Sequence, residues 1–222
     1  GGGAFADPRA PGALMNPTTR TLSLQGQAGQ IEALLDEPVD GPVQGTAVIA
    51  HPHPLFGGTM QNKVVQTLAR AFVQSGWRAV RFNFRGVGAS EGIYDAGRGE
   101  ALDMQQVISQ VAPEGPLALA GFSFGAFVTS HVVQALGDQR PPQQLVLVGT
   151  AASRFEVAPV APELHERCLV LHGEQDDTVP LASVMDWARP QSLPITVIPG
   201  CEHFFHGQLP LLKSLVVRHL RA

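Results

Sequence analysis

The five residues Gly121-Phe122-Ser123-Phe124-Gly125 constrain this chain more than any other stretch. Residues 116–120 just before them are apolar and read as a buried strand. Residues 126–136 just after them are weakly polar and end at Gly137, which reads as a buried helix with a glycine stop. Alone, G-x-S-x-G also fits an ordinary glycine-flanked turn. Between a strand and a helix it is an elbow that pushes a serine hydroxyl out of a sheet. Gly121 and Gly125 lack Cβ atoms, so strand and helix can come close on either side. Ser123 also lies at a helix N-terminus, where free N–H groups favour developing negative charge.

The rest of the chain repeats this alternation. Residues 21–25 and 30–35 read as a hairpin. Further strands are expected at 46–50, 77–84, 144–149, 167–172 and 194–198. Helices are expected at 62–75, 99–111, 180–188 and 209–220, the second with Leu102, Val107 and Ile108 facing the core. A hairpin followed by alternating strands and helices predicts a three-layer α/β/α sandwich on a mostly parallel sheet of about eight strands. In such folds the chemistry sits at the carboxyl ends of strands. The irregular segments 51–58, 85–92, Ser123, Asp176 and His203 each follow a strand.

A serine hydroxyl needs a base to take its proton, and the base needs a carboxylate to set its tautomer. After an elbow the chain order is serine, acid, histidine. Asp176 lies in a post-strand loop and is favoured over Asp177, which suits an acid leading the helix that begins at Pro180. His203 follows the last strand and is favoured over His206. His131 reads as a packed or surface group, and His219 as a favourable cation near a helix C-terminus. Two backbone N–H donors must face the tetrahedral oxygen. Phe124 supplies one; Pro52 and Pro54 have none, so the other comes from His53 or Leu55. Phe56, Phe122, Val179 and Phe204 are candidates for an acyl pocket, and the cluster of Phe122, Phe124 and Phe127 fits either a pocket or the core.

Other chemistries are weaker. His51-x-His53 lacks a third metal ligand at a convincing spacing. Gly86-x-Gly88 lacks the third glycine and the helix of a dinucleotide loop. Arg85 reads as a donor tying loops together, and Cys201 as a free thiol beside the site. With 222 residues, 44% hydrophobic and 15% charged, residues 15–222 suit one domain. Residues 1–14 read as a flexible or artificial leader ahead of Met15. A net charge of -4 and a pI near 6.0 leave no footprint for nucleic acid. No run reaches the roughly 18 apolar residues of a membrane span. Two cysteines make no disulfide framework, and no signal-peptide pattern opens the chain, so a cytoplasmic protein is expected.

The segments 51–58, 83–90, the elbow, the Asp176 loop and Gly200-x-x-His203-Phe204-Phe205 together resemble the α/β-hydrolase superfamily, and within it a bacterial group of small lidless serine hydrolases. The resemblance implies Ser123 as nucleophile, Asp176 as acid, His203 as base and no cofactor. Lids in this superfamily are commonly inserted where this chain has only residues 150–166, too few for several helices. An open site acting on a small acyl substrate is expected, cleaving carboxylic esters or thioesters. A peptidase or amidase on the same residues is the alternative within enzymes, and a non-catalytic binding protein the alternative outside them. Monomer and homodimer both fit.

Overall fold

The computed structural model describes residues 18–222; the expected leader and Met15 lie outside the described residues. The hairpin forms as β1 (Arg20–Gly26) and β2 (Gly29–Asp36), turning at Gln27-Ala28. Then β3 (Thr46–Ala50), α1 (Lys63–Gln74), β4 (Arg78–Phe82), α2 (Arg98–Val111), β5 (Leu117–Phe122) and α3 (Phe124–Leu136) alternate. They are followed by β6 (Gln144–Val148), β7 (Cys168–Gly173), α4 (Leu181–Ala188), β8 (Thr196–Ile198) and α5 (Leu209–Arg221).

The eight strands form one sheet in the order β1-β2-β4-β3-β5-β6-β7-β8. Only the β1–β2 and β2–β4 pairings are antiparallel. The order reverses at β3, whose neighbours β4 and β5 follow it in sequence on opposite sides. The crevice beyond such a reversal is where ligands sit in open α/β sheets. It lies between the ends of β3 and β5, the strands leading into segment 51–58 and the elbow.

Strand alternation sorts the core into two layers. Val48, Val80, Leu119 and Leu147 face α2, α3 and α4. Ala47, Ala79, Ala118 and Ala120 face α1 and α5, and these small side chains leave room for Phe72, Val65 and Leu212. The buried Arg81 on β4 reaches the Asp36 carboxylate at 3.3 Å and the Met60 carbonyl at 3.2 Å, tying β2 to the entry of α1. Asn62 caps that entry by accepting from the N–H groups of Val64 and Val65.

Two expectations shift. β4 stops at Phe82, and the next two residues bond outside the parallel ladder: Asn83 donates its N–H to the Glu32 carbonyl, and Phe84 donates to His51. Leu102 points to solvent, because Met104, Val107 and Ile108 set the buried stripe of α2 and Leu102 lies off it. Residues 150–166 form tight turns and a short 3-10 helix that begins at Pro162, with no lid over the sheet. Among the described residues no helix is long and apolar enough to cross a membrane.

Candidate active site

Ser123 has φ 59 and ψ -116, a backbone that side-chain-bearing residues seldom adopt. Its own N–H donates to the Val148 carbonyl at 2.8 Å, and its carbonyl accepts from Ala126 and Phe127, so the strained turn is bonded on both sides. The flanking glycines are required by contact. A Cβ on Gly121 would stand 2.4 Å from the Gly125 carbonyl oxygen, and one on Gly125 would stand 2.3 Å from the Ala50 carbonyl oxygen. α3 thereby starts against the end of β3.

The loop after β8 carries His203, and the loop after β7 carries Asp176. A bond from the Gln175 N–H to the Cys201 carbonyl, 2.9 Å, joins the two loops. His203 Nδ1 lies 2.6 Å from Asp176 Oδ2, and His203 Nε2 lies 3.1 Å from Ser123 Oγ. A carboxylate accepts, so Nδ1 carries the proton and Nε2 is free to accept from the serine hydroxyl. Asp176 Oδ1 accepts from the N–H groups of Thr178 and Val179 at 2.9 and 2.7 Å, which fixes the carboxylate's rotation. All three side chains are buried. Phe122 lies against one face of the His203 ring, centroids 4.9 Å apart, and Phe204 meets it edge-on at 4.9 Å.

The competing residues lie elsewhere. Asp177 is exposed. His206 is exposed beside Glu202. His131 Nε2 donates to the Glu156 carbonyl. His219 is no helix-end cation: burial lowers its pKa, and its Nε2 donates to the Arg167 carbonyl at 3.1 Å.

A fourth side chain adjoins the carboxylate. His172, fully buried at the end of β7, donates Nε2–H to the Val179 carbonyl at 2.7 Å and lies 3.5 Å from Asp176 Oδ2. Burial lowers its pKa, so it backs the carboxylate as a neutral ring. Cys201 is a buried thiol whose pKa is pushed up to about 11 by burial and by the Glu202 and Asp176 charges, an inert state for sulfur.

The segment after β3 is built around two histidines. His51 accepts from the Phe84 N–H on Nε2 at 3.1 Å and donates Nδ1–H to the Pro52 carbonyl at 2.7 Å. Burial holds its pKa down at about 4. His53 accepts from the Leu55 N–H on Nδ1 at 3.1 Å, leaving Nε2–H to donate to Tyr94 Oη at 3.3 Å. Burial first, and the Arg154 charge second, lower its pKa. Both rings are thus committed to the protein. Among the described residues no three His, Cys, Asp or Glu side chains are grouped to hold a metal.

This bonding separates the two oxyanion candidates. The Leu55 N–H is engaged by the His53 ring, and the Leu55 side chain is 62% exposed on the far side of the loop, so Leu55 is withdrawn as a donor. The N–H groups of His53 and Phe124 have no acceptor among the described residues, and both residues line the cavity at Ser123.

That cavity has a volume of about 310 Å³. Phe56, Val179 and Phe204 line it. Phe122 does not: it is fully buried behind His203, because its position on β5 turns it toward α1 and α5. Phe127 also leaves the wall, stacking on Phe155 at 4.6 Å. The sequence reading missed Phe155 and Arg154, which complete the wall from the turn after β6. Their signal was position, just past the carboxyl end of a strand. Arg85, as expected, clamps Asp103 through two nitrogens at 3.1 and 2.9 Å.

Sheet order, elbow and uncovered carboxyl edge make this chain a lidless α/β serine hydrolase. Residues 28–155, more than half of the chain, match the X-Pro dipeptidyl-peptidase (S15) family, and the chain belongs to that family. XC6422 from Xanthomonas campestris, described as an α/β serine hydrolase without lid, is 37% identical. That match covers 93% of this chain and 95% of the other at a TM-score of 0.83. An α/β serine hydrolase homologue from Coxiella burnetii is 38% identical, covering 90% of this chain and 97% of that one at a TM-score of 0.78. An uncharacterized protein of Rickettsia prowazekii is 29% identical over 199 residues, 83% of this chain and 81% of its own length.

Proposed function

We propose that this hydrolase cleaves small carboxylic esters or thioesters through an acyl-enzyme on Ser123. The observation that carries the reading is the hydrogen-bonded line from Ser123 Oγ to His203 Nε2 and from His203 Nδ1 to Asp176, at 3.1 and 2.6 Å. Ser123 Oγ attacks the carbonyl carbon as His203 Nε2 takes its proton. Asp176 holds the imidazole in the right tautomer and balances the imidazolium. The N–H groups of Phe124 and His53 receive the oxyanion. His203 returns the proton to the leaving group, and water, activated by the same ring, releases the acid.

A second reading has one observation in its favour, the family match itself, which is named for peptidases that release X-Pro dipeptides. Such a substrate carries an ammonium group close to the scissile bond, and a carboxylate is its natural partner. Among the described residues no Asp or Glu side chain lines the cavity, while Arg154 places a like charge there. This favours esters.

The test is labelling with a fluorophosphonate probe, read by intact mass, on the parent and on Ser123→Ala, followed by 4-nitrophenyl esters of increasing chain length. Labelling of the parent alone is expected. With no lid to cover a long chain, kcat/KM is expected to fall beyond short acyl groups. An unlabelled parent would sink the enzyme reading, and activity rising toward long chains would sink the open-site argument.

A further inference from the structure

The cavity at Ser123 is walled by rings and small groups, with one exception in charge. Among the described residues Arg154 is the only side chain lining it that carries a full charge at neutral pH. Its guanidinium is exposed and makes no ion pair or hydrogen bond among the described residues. Six other arginines among them meet a carboxylate, while Arg70, Arg167, Arg218 and Arg221 share its lack of an ion pair but do not line the cavity at Ser123. Nor is Arg154 on a loose segment. The N–H groups of Arg154 and Phe155 both donate to the Ala151 carbonyl, at 3.3 and 3.1 Å, closing a tight turn on the end of β6. The turn is pinned by Phe155, whose ring stacks on Phe127 and meets Phe124 at 5.3 Å. Arg154 also acts electrically on the pocket, since its charge helps to lower the pKa of His53. An exposed cation on a fixed turn at an apolar wall, with no carboxylate among the described residues to answer it, is complementary to an anion on the ligand.

We propose that the substrate of this site carries a carboxylate in addition to the bond that is cleaved, and that Arg154 binds it. The inference rests on the ester-hydrolase reading for the bond and adds the class of molecule. The carboxylate belongs either to the acyl group, as in a half-ester of a dicarboxylic acid, or to the leaving group, as in an acyloxybenzoate. Both place an anion a few bonds from the carbonyl that Ser123 attacks.

The experiment uses charge-matched pairs of equal shape. Monoethyl adipate is compared with ethyl 5-carbamoylpentanoate for the acyl side, and 4-acetoxybenzoate with 4-acetoxybenzamide for the leaving-group side. The quantity read is the ratio of kcat/KM for the acid to that for the amide, in the parent, Arg154→Gln and Arg154→Lys. On one arm the parent ratio is expected to exceed ten, to fall about tenfold in Arg154→Gln, to recover partly in Arg154→Lys, and to shrink in 0.5 M NaCl. The arm that responds identifies the side bearing the anion. Ratios near one on both arms, or a ratio that Arg154→Gln leaves alone, would overturn the proposal while leaving the hydrolase in place. A binding arm separates the two failures. Ser123→Ala protein is titrated with the same four compounds, with and without Arg154→Gln. Arg154-dependent preference for the acids supports the proposal even if no ester is turned over, and equal binding of acids and amides overturns it.

Discussion

Asp176→Asn tests the whole hydrogen-bonded line with the loss of one charge. In the parent, Asp176 Oδ1 accepts from two backbone N–H groups at 2.9 and 2.7 Å. An asparagine must keep its oxygen there, because turning the amide round would point N–H at N–H twice. Its NH₂ then stands where Oδ2 was, 2.6 Å from His203 Nδ1. The NH₂ can only donate, so Nδ1 must give up its proton and Nε2 must carry it. A protonated Nε2 cannot take the proton of Ser123. The same position lies 3.5 Å from the His172 Nε2–H, which gives the new NH₂ no acceptor. The size of this effect is known for a serine protease, where it is about 10⁴ in kcat. At 1.36 kcal/mol per decade that is about 5.5 kcal/mol of barrier. The assay is kcat on 4-nitrophenyl acetate together with the rate of fluorophosphonate labelling, with circular dichroism as a check on folding. Both rates are expected to drop by about 10⁴ in a folded protein. A folded Asp176→Asn within tenfold of the parent would refute the tautomer argument and the place of Asp176 in the chemistry.

Three further predictions follow from particular contacts. His53 has φ -53, which a proline can adopt, so His53→Pro removes its N–H with little change of backbone. Relative to His53→Ala, which loses only the ring, kcat is expected to fall by ~10²–10³, and equal rates would exclude this N–H from the oxyanion site. Buried His51, with a pKa of about 4 against an ordinary 6.5, takes up its proton more readily when unfolded. Stability is therefore present above pH 6.5 and lost as pH falls toward 4, by roughly 2–3 kcal/mol at pH 4.5 from this ring alone. His172 and His219 are lowered too and add with the same sign. Urea unfolding at pH 7.5 and 4.5 checks this, and an unchanged midpoint would contradict it. Gly125→Ala drives a methyl to 2.3 Å from the Ala50 carbonyl oxygen, which is backbone and cannot swing aside. A loss of about 3 kcal/mol in thermal or urea unfolding is expected, and a neutral result would mean that β3 and α3 separate easily.

The sequence alone was enough for the elements and their kind. Each depends on a local period: alternation at 21–25, uniform apolar runs at 46–50 and 144–148, a helical stripe at Val64, Val65, Leu68 and Phe72. The elbow is local as well, because two glycines around a serine between strand and helix leave one way to turn. The order of Ser123, Asp176 and His203 along the chain followed from where the strands end. Only the tertiary structure could decide what distant segments do to one another. Phe122 looks like a pocket residue beside Ser123, but strand alternation sends it into the opposite core layer. Leu102 looks apolar and inward, but the face of α2 is set by where Met104 and Val107 meet α3 and the sheet. Leu55 and His53 stand equal as donors until the His53 ring turns back onto the Leu55 N–H. Arg154 and Phe155 enter the site only because β6 lies beside β5, which brings the turn after it to the cavity wall. Periodicity is a property of neighbours in sequence, whereas orientation within the site depends on contacts across the sheet, and these form only when the chain has folded.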